Sequence, residues 1–210
     1  KAVSPLNAYG ATKRLMEKLF VSANNYGGIK QHKTQFITAR YGNVFGSSGS
    51  VFPKFIEQIK LNQKITITDP KMTRFSITMD DALDFIINAL KFGKGSEIFV
   101  PRLKAYSILT INDALSDIHG KIKQETIGIR PGEKLHETLI DKDEMRYSWE
   151  YKNMYLISNP FYPTFYGKKI EKVYNGIKKI KKTDVYSSDK VQTLSKKEIT
   201  NTLKQSGLVK

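Results

Sequence analysis

Strand-like and helix-like patterns alternate along this chain, and that alternation constrains the fold more than any single motif. The run Gln35-Phe36-Ile37-Thr38-Ala39-Arg40-Tyr41 is β-branched and aromatic, as a strand requires. It breaks into the Gly- and Ser-rich loop 42–50, which feeds a helix over about 51–61. Further strands are predicted at 64–68, 97–101 and 123–129, with helices at about 78–93 and 111–119. Such alternation predicts an α/β layer architecture with a parallel sheet, expected to continue a unit that precedes residue 1.

Ahead of the first strand lies Lys1-Ala2-Val3-Ser4-Pro5-Leu6-Asn7-Ala8-Tyr9-Gly10-Ala11-Thr12-Lys13, which opens a helix predicted over 8–25. Tyr9 and Lys13 are four residues apart, so their side chains rise from one helical face. A cation beside a phenol favours the ionised form, which can take a proton from an alcohol. The same spacing recurs at Tyr26/Lys30, Tyr174/Lys178 and Tyr186/Lys190. What singles out the first pair is the turn signal Ser4-Pro5 with Asn7, the small residues Gly10, Ala11 and Thr12, and an expected buried stripe of Ala11, Leu15, Leu19 and Ala23. By spacing alone the pair also fits a surface tyrosine steadied by a helical neighbour.

The chain has no cysteine, and its three histidines (His32, His119, His136) are too far apart for a local metal motif, so thiol chemistry is excluded and no metal is expected. Apolar runs such as Phe85-Ile86-Ile87 are far too short to span a bilayer. A net charge of +15 suits a phosphate-bearing partner without choosing among nucleic acid, membrane surface and phosphorylated small molecule. The chain starts on Lys with no signal-peptide pattern, which gives the expectation of a fragment.

Three loops carry chemistry. The strand, the loop 42–50 and the helix after it can place backbone N–H groups and a helix dipole against an anion, or form an ordinary turn. Asp80 and Asp81 are read as residues of a helix N-terminus, with Thr78 and Asp81 at capping-box spacing. The turn Arg130-Pro131-Gly132-Glu133-Lys134-Leu135-His136-Glu137 holds cations and acids, and taken by itself such a segment is a solvated turn more often than a site. Beyond about residue 143 the sequence is aromatic and Lys-rich, and is read as an accessory tail with one edge strand near 154–157. The Lys-rich run 168–182 is a solvated basic face by default, with a nucleic-acid or membrane-surface role as the rival. Ser195 and Glu198 form a capping box for a short helix to Ser206.

Four stretches, in order, resemble the extended short-chain dehydrogenase/reductase superfamily: Asn7-Ala-Tyr9-Gly-Ala-Thr-Lys13, Arg40-Tyr-Gly-Asn43-Val-Phe-Gly46, Met72-Thr-Arg74-Phe75 and Ile129-Arg130-Pro-Gly-Glu133-Lys-Leu-His136-Glu137. The last is similar to the branch of inverting UDP-N-acetylglucosamine 4,6-dehydratases and related polysaccharide-biosynthesis proteins, and the likeness covers residues 1 to about 145. It implies the C-terminal portion of a Rossmann-type doubly wound parallel sheet plus a smaller α/β substrate-binding domain. The expected division is 1–46 for the remainder of the dinucleotide-binding domain with the catalytic helix, 47–145 mainly for substrate, and 146–210 for a basic extension. The strand near 97–101 is expected to return to the dinucleotide-binding sheet.

The resemblance implies catalysis by Lys1, Tyr9 and Lys13. Tyr9 would deprotonate a sugar 4-hydroxyl, Lys13 would hold the cofactor ribose, and Lys1 would act at C5. Lys1-Ala2 matches the second half of a family Thr-Asp-Lys-Ala segment whose Asp falls before residue 1. Cofactor contacts are expected from Tyr9, Lys13, Tyr41, Gly42, Asn43 and Val44. Substrate contacts are expected from Asn43, Arg74, Arg130 and Glu133, the arginines as diphosphate clamps because a guanidinium grips phosphate in two places. His136 stays open between a structural and a functional role. The implied cofactor is NADP, with NAD the alternative, and the implied partner is a UDP-sugar in a cytoplasmic homo-oligomer. No specific nucleic acid is implied, and membrane association would come through a preceding region. The rivals are a 4-epimerase or reductase of the same superfamily and a non-catalytic dinucleotide- or nucleic-acid-binding protein.

Overall fold

The computed structural model describes residues 1–25, 34–161, 167–181 and 184–209. In chain order they form α1 (Ala8–Ala23), β1 (Thr38–Ala39), β2 (Asn43–Val44), α2 (Val51–Lys60), β3 (Ile65–Ile67), β4 (Thr73–Ile77), α3 (Met79–Phe92), β5 (Ile98–Pro101), β6 (Ala105–Ser107) and α4 (Ile108–His119). There follow β7 (Gln124–Thr126), β8 (Thr138–Ile140), α5 (Lys142–Met145), β9 (Ser148–Tyr151), β10 (Met154–Ile157), α6 (Ile170–Val173), β11 (Lys178–Lys179), β12 (Tyr186–Ser187) and α7 (Lys196–Gln205).

Two units share the chain: Lys1–Tyr41, Asp80–Arg102 and Thr138–Tyr186 make the first, and Gly42–Met79, Leu103–Glu137 and Ser187–Lys210 the second. The chain therefore does not divide at 46 and 145. The first unit holds a five-stranded sheet in the order β1-β5-β10-β9-β11, in which β1 and β5 are parallel and the remaining pairs antiparallel. The sheet is thus mixed rather than parallel throughout. Of the stretch read as an accessory tail, β9, β10 and β11 are strands of this sheet, and Met154, Leu156, Ile170 and Tyr174 are core residues beside Phe85, Ala89 and Phe99. The lysines between them masked this, because they occupy the outward positions while the apolar side chains turn in.

Asn7 starts α1, its side-chain oxygen accepting from the Gly10 N–H at 2.8 Å. At the other end the Asn24 side chain donates to the Phe36 carbonyl at 2.8 Å and accepts from the Phe36 N–H at 2.9 Å, tying the helix end to the approach to β1. The expected buried stripe is not buried: Leu15 is 59% exposed and Leu19 50%, whereas Glu17 is 4% exposed. Glu17 is drawn inward by Arg40 next to β1, which donates to it at 2.8 and 2.6 Å. Arg40 also donates to Glu144 at 2.7 and 2.9 Å and to the Leu139 carbonyl at 2.6 Å, so all five of its N–H donors are used. Arg14 adds a 2.6 Å bond to Glu144.

The second unit packs around Phe52, Phe55, Ile65, Ile67, Ile111 and Leu115, with Ile199 and Leu203 of α7 in the same core. In it β4 pairs in parallel with β2 and antiparallel with β6, and β3 pairs in parallel with β7. The capping box read at Ser195 and Glu198 is present, and Asp80 and Asp81 lie in the first turn of α3.

Burial of Arg40 works against its charge, but its hydrogen bonds to Glu144 and Glu17 outweigh that and hold it ionised well above the usual range. For Glu144, burial is likewise outweighed by Arg40 and Arg14, and its carboxyl falls to about 2. Replacing Arg40 by Leu leaves the buried Glu17 and Glu144 to the partly exposed Arg14, and the expected loss is about 3–5 kcal/mol of unfolding free energy in urea at pH 7. Glu144's share of that stability is complete above its unfolded value of 4.5 and fades as pH falls from there towards 2. Glu97 behaves oppositely. Burial raises its carboxyl to about 7, against donors from Tyr174 and the Lys94 and Gly95 N–H groups. A raised group stabilises fully below 4.5 and progressively less as pH rises through 7. Glu97→Gln should therefore match the parent at pH 4 and exceed it by up to about 3 kcal/mol at pH 8, measured by urea unfolding at both values.

Candidate functional site

In the first unit the start of α1 builds a cluster of two amines around one phenol. Gly10 sits where the segment 1–5 crosses the helix: a Cβ there would lie 2.9 Å from both the Lys1 carbonyl oxygen and the Pro5 Cβ. With only hydrogen at that position, the segment lies close enough to bring the Lys1 ammonium to 5.5 Å from the Tyr9 ring centre. From one turn along the helix, the Lys13 ammonium reaches the same ring at 5.4 Å. Both are within cation–π range. Tyr9 is 57% exposed and borders a cavity of about 540 Å³ lined also by Lys1, Lys13, Phe20, Arg40 and Tyr41.

The rival Tyr/Lys pairs do not match it. Tyr174 is buried and donates its hydroxyl to Glu97 at 2.8 Å, Tyr186 is buried, and Tyr26/Lys30 lies outside the described residues. Tyr41 rests edge-on against Phe85, 6.2 Å between ring centres.

The second unit carries the other predicted residues. Gly42 is where the chain enters β2 hard against β4, since a Cβ there would lie 2.5 Å from the Phe75 Cβ. Asn43 follows with its side chain exposed, Val44 pairs with Ile77, and the loop beyond turns at Gly46 and Gly49, both at positive φ. The Asn43 side chain is hydrogen-bonded to the hydroxyl of buried Tyr106. Burial pushes that hydroxyl up to about 12, so it stays protonated as a fixed partner.

Arg74 is placed differently from a diphosphate clamp. It is 7% exposed and donates to the carbonyls of Thr73 at 2.7 Å, Leu135 at 3.0 Å and Lys134 at 2.7 Å, with Glu133 and Glu137 each 3.7 Å away. Its guanidinium organises the 133–137 loop from beneath. Arg130 is exposed at the tip, and the Glu133 N–H donates to the Arg130 carbonyl at 3.0 Å with Gly132 at φ 77°. In the same loop, burial lowers the Lys134 ammonium below its ordinary range.

His136 is engaged through its Nδ1, 2.8 Å from the Thr73 hydroxyl. Tyr106 was missed in the sequence, where no local pattern marks it, and Thr73 and Lys134 stood inside quoted stretches without being given a role of their own. Glu17 had a signal, because an arginine at the end of an apolar strand needs an acid partner. No group of side chains able to hold a metal occurs among the described residues.

Residues 1–159 match the family model described as polysaccharide biosynthesis protein. The chain is 40% identical over 210 residues to a UDP-N-acetylglucosamine 4,6-dehydratase (inverting) of Campylobacter jejuni subsp. jejuni serotype O:23/36, covering 95% of this chain and 59% of that protein. It is 38% identical over 200 residues to a UDP-glucose 4-epimerase of Rickettsia bellii, covering 95% and 57%. Among solved structures it is similar to Pen from Bacillus thuringiensis, with a TM-score of 0.85 and 38% identity over 99% of this chain and 61% of that one. The chain thus spans little more than half the length of the curated relatives it matches.

The geometry at Gly10 makes a direct prediction. Alanine there would give the helix about 1 kcal/mol, but the clash costs about 1–3 kcal/mol, so the segment 1–5 should shift rather than the helix. In Gly10→Ala the ring-current shift of the Lys1 side-chain protons from Tyr9 should vanish while that of Lys13 persists, as read by NMR.

Proposed function

We propose that this chain, which belongs to the polysaccharide biosynthesis protein family, carries the catalytic helix and nucleotide-holding loops of a UDP-N-acetylglucosamine 4,6-dehydratase that inverts C5. The observation that carries the reading is the presence of two amines, Lys1 and Lys13, beside one exposed phenol at the cavity wall, Tyr9. Removal of water across C5 and C6 needs a base for the C5 proton as well as a base for the 4-hydroxyl, and the cluster supplies both. The C. jejuni relative named as an inverting dehydratase supports it.

In this mechanism Tyr9 takes the proton of the sugar 4-hydroxyl as C4 becomes a ketone. The ketone acidifies the neighbouring C5–H, the Lys1 amine removes that proton, and the C6 hydroxyl leaves as water on taking a proton from a general acid. Return of a proton to C5 from the opposite face inverts that centre. A bound nicotinamide dinucleotide would supply the oxidation at C4 and the matching reduction at C6, ending unchanged. The open cavity with Lys13 at its wall fits the nicotinamide–ribose end of such a group, Lys13 donating to ribose hydroxyls. Tyr41, Gly42, Asn43 and Val44 are assigned to that end as well, with NADP as the dinucleotide and NAD the alternative. In the second unit Asn43 is assigned to the sugar, Arg130 to the diphosphate and Glu133 to ribose hydroxyls, while Arg74 shapes their loop. A cytoplasmic homo-oligomer completes the reading. No helix among the described residues is long and apolar enough to cross a membrane.

The R. bellii relative favours a second reading, a 4-epimerase, which shares Tyr9 and Lys13 but needs no base at C5. Lys1 separates the two. With the full-length protein and UDP-N-acetylglucosamine in deuterated water, the product should be a 4-keto-6-deoxy sugar with deuterium at C5. Lys1→Met and Lys1→Arg should each slow its formation by about 10²–10⁴-fold with dinucleotide binding intact, because arginine keeps the charge but cannot act as a base. A parental rate in either variant, or a product changed only at C4, defeats the dehydratase reading.

A further inference from the structure

The 130–137 loop is held on one side by Thr73 and Arg74 of β4 and on the other by Ser188. From β4, the Thr73 N–H donates to the Leu135 carbonyl at 3.1 Å, and Arg74 binds the carbonyls of Lys134 and Leu135. From the segment after β12, the Ser188 N–H donates to the Glu137 carbonyl at 2.8 Å, and the Ser188 hydroxyl accepts from the Glu137 N–H at 2.9 Å. The Thr73 hydroxyl joins the two sides, 2.8 Å from His136 Nδ1 and 2.7 Å from the Ser188 hydroxyl, which also lies 3.2 Å from the Thr73 carbonyl. Ser188 is fully buried, so water cannot stand in for its hydroxyl.

We propose that Thr73, His136 and Ser188 form a hydrogen-bonded lock that fixes the stem of this loop, making Thr73 and Ser188 positioning residues for the nucleotide half of the substrate. The inference rests on the reading of Arg130 and Glu133 as nucleotide ligands. The lock grips residues 135–137 and leaves the arc 130–133 to project, closed by the Glu133 N–H on the Arg130 carbonyl. Loosening the stem would let that arc sample several shapes, so ligand binding would have to select one and would weaken accordingly. The chemistry at the sugar belongs to Tyr9 and Lys1 in the other unit and does not pass through the lock. The expected signature is therefore a change in KM with kcat preserved.

Valine at position 73 keeps the shape of threonine and removes the hydroxyl, whereas serine keeps the hydroxyl. In the full-length protein Thr73→Val should raise KM for UDP-N-acetylglucosamine and Kd for UDP by about tenfold with kcat within about twofold of the parent, and Thr73→Ser should restore both. Ser188→Ala should show the same split, and the double variant Thr73→Val/Ser188→Ala should be no worse than the poorer single one, because both break one chain. Should Thr73→Val fail to fold, Ser188→Ala gives the same readout. Unchanged KM and UDP Kd in the variants, no rescue by serine, or a loss carried in kcat overturns the lock while leaving the dehydratase reading in place. A parent protein that does not bind UDP at all overturns both.

Discussion

The face of α1 that carries Tyr9 and Lys13 is set by a buried ion cluster rather than by apolar packing. Tyr9, Lys13 and Glu17 are spaced four apart on one helical face, and Glu17 is held by two bonds from Arg40. Arg40 is itself buried at the end of β1, and its charge can be tolerated there only if carboxylates meet it. Each broken pair would cost about 3–5 kcal/mol, against about 1.5–3 kcal/mol returned by burying one leucine. With Glu17 and Glu144 both engaged, the ion pairs win the helix rotation. Leu15 and Leu19 are turned outward as a consequence, and Tyr9 and Lys13 are turned towards the cavity.

The second unit uses a buried arginine differently. Arg40 is matched by carboxylates, whereas Arg74 is met mainly by backbone carbonyls, with two carboxylates at longer range. A guanidinium can serve three carbonyls at once because its donors diverge in a fixed plane, and the reward is a loop shape rather than a charge pair. Tyr106 does a comparable task for Asn43: a hydroxyl that stays protonated is a constant donor or acceptor for a carboxamide. Exposed ligand residues in this unit thus stand on buried polar partners contributed by neighbouring strands.

The signals legible in the sequence were those in which one residue type is required at one spacing. The Tyr9/Lys13 step, the Asn7 turn, the glycine loop after Asn43 and the Ser195/Glu198 box are local, so the chain states them directly. Glycine at 10 and 42 was visible too, although the reason for it, a close neighbouring segment in each case, is tertiary. What was not legible depended on distant partners. The α1 stripe was misread because apolar spacing does not reveal that Arg40 competes for the helix. The C-terminal strands were misread because lysines dilute an apolar pattern that only the sheet order makes plain, and Ser188 is unremarkable until Thr73 and Glu137 are seen beside it. Arg74 looked like a phosphate ligand in its motif, and the carbonyls it serves beneath the 133–137 loop come from residues distant in sequence.

The placing of cations follows from what each can do with a proton. Among the described residues the two buried cations are both arginines, Arg40 and Arg74. Arginine keeps its charge under desolvation and offers five donors in fixed directions, which suits a structural anchor. The cations beside the exposed phenol are both lysines. A compact ammonium on a flexible stem can approach a ring and can also give up its proton, which a guanidinium does not do in a protein. In the proposed reaction the site delivers a charge to a phenol and a base to a carbon, and lysine suits both positions. Anchors that must never change protonation state call for arginine, and both buried cations among the described residues are of that kind.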